Sequence, residues 1–467
     1  MISRELKDNT IIFGADGYIG WPLAIHLGSH NPDKKIVLVD NLVTRALVRS
    51  VGSRSLIPIR SMEDRIKSYR KTTGLDNLEF IFADTRDSET VDAIFRRYVP
   101  DTVVHLAQQR SAPFSMIDQE HAMYTQLNNV STNMNIIYSM ARHTPYAHLM
   151  KMGSMGEYGT PGVEIAEGDI DLERKARTAK IMFPPSGGSW YHLSKIFDTF
   201  NVKLANKIFG LTTTDIMQGV VYGVKINEMT EASLATRFDF DSNWGTLINK
   251  YVVQSILLNK LLIYGKGKQK RGFLSLYDSV NCLTLLIENP PEEGEYRIVN
   301  QLDEVYDTLE LAKKVQDVGK EFGINPELEW IENPRVEKEE HYYEVEHKLL
   351  PSLGFKREKE MDLVLYEIFE AVLGNKKRID ARRDIVYPSA SWKSTKMYYS
   401  PSFKLPKQAL TIARSNFKGN LDLEQRLEYG IASVAEKVKE MEGEEEETAR
   451  IQVQRKKGVQ ISEPIDN

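Results

Sequence analysis

Cysteine is almost absent: Cys282 is the sole one in 467 residues, so neither a disulfide framework nor a thiolate metal site can form within one chain. A reducing compartment fits that usage best. An excess of one charge is also lacking. Lys and Arg number 61 against 66 Asp and Glu, a formal net charge of -5, so no long-range field recruits nucleic acid and an anionic ligand must be met by local groups. No apolar run approaches the roughly 18 residues that a bilayer crossing needs. Residues 1–9 are polar and mixed in charge, without the pattern of a signal or transit peptide. These absences lead us to expect a soluble, cytoplasmic protein without membrane insertion, and no metal is expected. No repeat of solenoid period is present.

What is there is an ordinary globular balance, 41% hydrophobic and 27% charged. The length suits one large domain with appendages or two smaller ones. Short apolar runs read as strands at 10–13, 35–40, 78–84, 102–107, 148–153 and 211–218, with helical period between most of them, as at 88–98 and 122–142. That alternation predicts an α/β fold, a doubly wound parallel Rossmann sheet with helices on both faces. Residues 41–77 are longer than a simple crossover and carry Arg45, Arg49, Arg54, Arg60 and Arg65, which reads as a solvated helical insertion. The expected division is 1–226 for cofactor binding and catalysis, 227–396 for a smaller lobe over the strand ends, and 397–467 for a charged extension. Within that extension, 421–441 has helical amphipathicity and 442–447 is an acidic run of the kind that stays solvated.

The first strand runs into Gly14-Ala15-Asp16-Gly17-Tyr18-Ile19-Gly20 and then a helical stretch. Glycines there allow a tight turn and close backbone approach to a pyrophosphate, whose charge the helix N-terminus meets. The second strand ends in Asp40, about 20 residues on, where a carboxylate accepts from a ribose diol and repels a 2′-phosphate. NAD is thus favoured over NADP. Asp16, Tyr18, Ile19, Asn41 and Arg45 complete the candidate cofactor loops, and Asp84 is a candidate for the adenine edge.

Tyr191-His192-Leu193-Ser194-Lys195 places a tyrosine and a lysine on one helix face. A phenol of pKa near 10 is a poor base unless a cation stabilises its phenolate, and Lys195 is placed to do so. The fifth strand ends beside Ser154, whose hydroxyl can bind the same substrate hydroxyl that Tyr191 deprotonates. Ser154, Tyr191 and Lys195 are therefore the candidate catalytic residues for hydride removal, with Tyr191 and Lys195 also touching the cofactor.

Several strings carry a resemblance: Gln109-Arg110-Ser111-Ala112-Pro113, Tyr124-Thr125-Gln126, Met155-Gly156-Glu157-Tyr158-Gly159, Gln218-Gly219-Val220-Val221-Tyr222-Gly223, Asn333-Pro334-Arg335-Val336-Glu337, Glu339-Glu340-His341-Tyr342-Tyr343 and Pro388-Ser389-Ala390-Ser391-Trp392-Lys393. Over roughly residues 10–396 the chain resembles the UDP-sulfoquinovose synthase family of extended short-chain dehydrogenase/reductases. The resemblance implies conversion of UDP-glucose and sulfite to UDP-sulfoquinovose with tightly held NAD, the product entering a sulfolipid or a glycan. Related sugar dehydratases carry an acidic pair after the Ser or Thr, where this chain has Met155 and Gly156. Acid–base work at C5 and C6 then falls to Glu157 and His192 as candidates. Arg110 and His192 suit a small anion such as sulfite, Arg271, Arg335 and His341 are candidates for the diphosphate, and Gln218 and Asn249 for the sugar or uracil. Two positions depart from the family pattern: Ser154 stands where Thr is usual, and Gln108 where Glu usually precedes the Gln-Arg pair.

The same Tyr191, Lys195 and Ser154 would also serve another NAD-dependent UDP-sugar 4-epimerase or 4,6-dehydratase, and a noncatalytic NAD-sensing scaffold is the alternative of another class. By analogy with proteins of this type, a homodimer through the helices flanking Tyr191 is expected.

Overall fold

The computed structural model describes residues 9–380, 382–393 and 403–411. Its fourteen strands run β1 Asn9–Phe13, β2 Lys35–Asp40, β3 Leu78–Phe82, β4 Thr102–His105, β5 His148–Met152, β6 Asp169–Arg174, β7 Arg177–Met182, β8 Thr212–Gln218, β9 Val220–Tyr222, β10 Lys260–Tyr264, β11 Lys270–Ser275, β12 Tyr296–Gln301, β13 Glu304–Asp307 and β14 Glu327–Ile331. Seven of them form one parallel sheet in the order β12-β8-β5-β4-β1-β2-β3. The order reverses between β1 and β4, and ligands bind at such a switch point, outside the carboxyl ends of the strands.

Alternation along the strands explains why both faces are covered. Ile12, Leu38, Val104 and Met150 point into one apolar layer, while Ile11, Phe13, Val37, Val39, Val103 and Leu149 point into the other. The helices that cover these faces begin with α1 Gly20–His30, α2 Val43–Ser50, α3 Met62–Thr73, α4 Ser88–Tyr98, α5 Ala112–Ser115, α6 Gln119–His143 and α7 Trp190–Phe209. They continue with α8 Leu247–Leu258, α9 Leu276–Glu288 and α10 Thr308–Glu321. No helix among the described residues is long and apolar enough to cross a membrane.

The doubly wound expectation agrees with this sheet, and three features add to the sequence reading or depart from it. First, strand pairing crosses the expected boundary at 226: β12, from the second half, pairs with β8 in the main sheet, and β9, from the first half, pairs with β11 in the lobe. Second, residues 41–77 do fold into α2 and α3, and Arg49, Arg54 and Arg60 are exposed, but Arg65 is buried and Arg45 mostly so. Both turn inward to Asp16. Third, the antiparallel hairpin of β6 and β7, between β5 and α7, has no counterpart in the sequence reading. The extension's helical candidate at 421–441 and its acidic run lie outside the described residues.

Candidate active site

Gly14 sits at φ +88°, and a Cβ there would meet the Leu106 backbone at 2.6 Å. A Cβ on Gly20 would collide with the Gly14 carbonyl oxygen. These two glycines let the β1–α1 turn fold tightly against β4. Helices α4, α6, α7 and α9 have side-chain caps from Asp87, Asp118, Ser189 and Ser275. Helix α1 has none and no acid in its first turn, so its first amides face the cavity without a side-chain partner, as a pyrophosphate requires. Gly14, Gly17, Tyr18, Ile19, Gly20, Asp40 and Asn41 all line that cavity, whose volume is about 560 Å³.

Asp40 accepts from the Asp16 amide at 2.9 Å and the Leu42 amide at 2.7 Å. Burial, reinforced by the Asp16 carboxylate, raises its pKa to about 6. Asp16 does not line the cavity. Burial works to raise its pKa, but Arg45, which donates at 2.8 and 2.6 Å, and Arg65 outweigh it and hold the group at about 2. Arg65 also stacks 4.6 Å from the Trp21 ring. Asp16 and Arg45 thus pair with each other and brace the glycine loop. Asp84 is tied to Arg86 at 2.6 Å and stands between Ala83 and Thr85, which line the cavity.

Ser154, Tyr191 and Lys195 line the same cavity. Burial and then the Glu157 carboxylate push the Tyr191 phenol up, while the Ser154 hydroxyl works to lower it. The Lys195 ammonium is 5.9 Å from the Tyr191 ring centroid and donates to the Met152 carbonyl at 2.6 Å and to Gln108 Oε1. Burial and the nearby Lys151 lower its pKa. The other end of the Gln108 amide donates to Asp198, whose carboxyl burial pushes up. The amide at position 108 therefore joins a cation to an anion, which a carboxylate at the same place would do only by facing Asp198 with like charge.

Beneath this group lies a charge cluster that the sequence reading missed. Lys151, fully buried in β5, is 3.0 Å from Asp215 on β8 and 3.5 Å from Glu157. It also donates to Thr199 at 2.6 Å. The signal was available: a lysine and an aspartate in the middle of otherwise buried strands. Glu157 accepts from the Ser154 amide and from Thr199, both at 2.9 Å, and does not line the cavity. In this position it fixes the Ser154 turn.

Arg110, Met155, His192, Gln218, Arg271 and Arg335 also line the cavity. Arg335 stacks 5.1 Å from Trp392, and Arg271 donates to Glu337 and contacts His341 at 3.1 Å. Arg110 is anchored on Asp239 at 2.5 Å. Gln218 donates to Gln301 at 2.8 Å and Ser279 at 3.0 Å. His192 Nδ1 faces Ser189 Oγ at 3.0 Å. Burial, then Arg335 and Arg271, lower its pKa to about 3, which favours the neutral imidazole. His341 contacts Arg271 and the Lys270 carbonyl from behind, and Asn249 binds the Gly223 amide and the Tyr18 hydroxyl; neither lines the cavity. Trp392 and Lys250 were missed; Lys250 is buried on α8, where burial and Arg335 lower its pKa to about 8.

Comparison with known proteins agrees with this geometry. The profile of the NAD dependent epimerase/dehydratase family matches residues 10–300. UDP-sulfoquinovose synthase of Sulfolobus acidocaldarius is 42% identical over 384 residues, covering 82% of this chain and 97% of that protein. The chloroplastic UDP-sulfoquinovose synthase of Spinacia oleracea is 40% identical over 388 residues, covering 83% and 80%. Among solved structures, UDP-glucose-4-epimerase of Stenotrophomonas maltophila with bound NAD superposes with a TM-score of 0.60 at 17% identity, over 79% of this chain and 99% of that one, which shows the shared fold. The chain belongs to the NAD dependent epimerase/dehydratase family and, within it, to the UDP-sulfoquinovose synthase family.

Proposed function

We propose that the chain joins sulfite to UDP-glucose, releasing water and forming UDP-sulfoquinovose. The observation that carries the reading is one cavity that sets Ser154, Tyr191 and Lys195 between an uncapped glycine-loop helix with Asp40 and the cations Arg271 and Arg335. A dinucleotide fits the first end and a sugar diphosphate the second. Gly14, Gly17, Gly20 and Asp40 would hold NAD, and Arg335, whose stacking on Trp392 leaves its edge free to pair with anionic oxygens, would meet the diphosphate. When bound, NAD supplies hydride storage at the sugar C4 and a positive ring beside Tyr191.

Tyr191 takes the proton of the C4 hydroxyl while Ser154 holds that hydroxyl in line. The C4 ketone acidifies C5–H; that proton and the C6 hydroxyl leave together as water, giving a 4-keto-5,6-ene. Sulfite sulfur then bonds to C6, C5 takes back a proton, and the phenol of Tyr191 returns its proton as C4 is reduced again. Of the acid–base candidates for C5, His192 is the one that lines the cavity. Arg110 also lines the cavity and is our candidate for sulfite.

The soluble enzyme is proposed to work as a homodimer. Met123 and Leu127 on α6 and Phe197, Phe200, Leu204 and Ile208 on α7 are all at least 49% exposed on adjacent helices, an apolar face of the kind that pairs subunits. Light scattering should give twice the chain mass. For the reaction, incubation with UDP-glucose should yield a sulfonated UDP-hexose by mass spectrometry only when sulfite is present. UDP-galactose formed equally with and without sulfite would overturn the reading in favour of a 4-epimerase. Tyr191→Phe should lower turnover by about 10²- to 10⁴-fold.

A further inference from the structure

His26 and His30 lie one turn apart on α1, so both rings project from the same side of the helix. Their ring centroids are 4.4 Å apart. His26 Nδ1 is 2.7 Å and His30 Nε2 2.9 Å from the same oxygen, Oε1 of Glu228. All the potential ligand atoms of these residues lie within 4.8 Å of one another, and among the described residues this is the one cluster of that kind. We propose that His26, His30 and Glu228 form a binding site for a divalent transition-metal ion of the zinc class.

Donor chemistry selects the ion. Two imidazoles and one carboxylate suit Zn²⁺, Co²⁺ or Ni²⁺ and not Mg²⁺ or Ca²⁺, which prefer all-oxygen shells. Bonds of about 2.0–2.1 Å place tetrahedral ligand atoms roughly 3.3 Å apart, so each imidazole nitrogen needs to move off the Glu228 oxygen by only a few tenths of an ångström. Their backbone is already fixed. Glu228 lies between Ile226 and Met229, both buried, on a segment whose Gly223 carbonyl accepts from Tyr18 at 2.6 Å. Trp21 of α1 donates to the Leu234 carbonyl of the same segment at 2.8 Å. His26 and Glu228 are each 16% exposed and His30 is 59% exposed, which leaves an open side from which an ion enters and water completes its shell.

The site is separate from the sugar chemistry. Gly20 lines the cavity, whereas His30 is the last residue of α1, a helix of 11 residues and thus about 15 Å long. An ion there ties the far end of α1 to the segment that follows β9. It acts as a staple between the nucleotide-binding layer and the lobe.

The test is titration of the chelator-treated full chain with Zn²⁺ in a calorimeter, beside the H26A/H30A and Glu228→Gln variants. The wild type should bind a single ion and unfold at a higher temperature with it. Loss of an outer-shell partner alone weakens metal binding by about 10- to 100-fold, so removal of direct ligands should cost at least ~10-fold and abolish the thermal shift. His30→Gln, a change at an exposed position, carries the same expectation if the double variant does not fold. A wild type that binds no Zn²⁺, or variants that bind it equally well, would overturn the site.

Discussion

Gln108 Oε1 accepts a hydrogen bond from the Lys195 ammonium, which lies 5.9 Å from the centre of the Tyr191 ring. A carboxylate there would add negative charge next to both Lys195 and Asp198. Gln108→Glu should therefore favour charged Lys195 and disfavour charged Asp198. We expect the alkaline limb of the kcat profile to move to higher pH in the variant, reversing the lowering that burial and Lys151 impose on Lys195. An alkaline limb that stays put would show that Lys195 does not govern it.

Lys151 has no route to solvent and compensates Asp215 and Glu157. Lys151→Met keeps the volume and removes the charge, leaving buried carboxylates without their cation. Breaking such a set by removing one partner costs about 3–5 kcal/mol. Urea unfolding should reveal the loss as a lower midpoint at an unchanged slope.

Asp40 is the polar group best placed to tell NAD from NADP. Asp40→Asn retains the shape and removes the charge that repels a 2′-phosphate. A hydrogen bond to a charged group contributes about 1.5–3 kcal/mol, so NAD affinity should fall by roughly 10- to 150-fold while NADP affinity rises. Fluorescence titration with both dinucleotides measures the ratio.

His192 carries a pH prediction with a definite sign. Its pKa is about 3, lowered by burial and by Arg335 and Arg271. A bound diphosphate neutralises those two cations, which raises the pKa of His192, so substrate binding takes up protons and tightens as pH falls toward the free-state value of about 3. Calorimetry of UDP binding in buffers of different ionisation enthalpy should record the uptake. His192→Asn should abolish it.

The sequence made the sheet and the reacting triad legible because each rests on local signals. Alternating strands and helices, a glycine turn with Asp40 at the end of the next strand, and Tyr191 one turn before Lys195 all lie within one strand–helix unit or less. Groups whose surroundings depend on distant partners were harder to read. Asp16 belongs to a glycine loop in sequence, yet Arg45 and Arg65 from the insertion claim it in space. Asn249 and His341 are near the site in sequence motif and behind its wall in the fold. The surroundings of Glu157 were hidden for the same reason, since only the β5–β8 pairing brings Lys151 and Asp215 together beside it. The His26 and His30 spacing was visible all along, but Glu228 joins them from 198 residues beyond His30.

Strand β12 enters the main sheet only after the chain has built much of the lobe, and β8 depends on it for an entire row of backbone partners. Translation therefore finishes the dinucleotide layer late. A polypeptide released after β8 would present a bare strand edge, open to pairing with other chains, and it would lack the wall that carries Arg271 and Arg335. In this architecture oxidising power and substrate choice are inherited together, because neither half can be exchanged without unravelling the edge that both share.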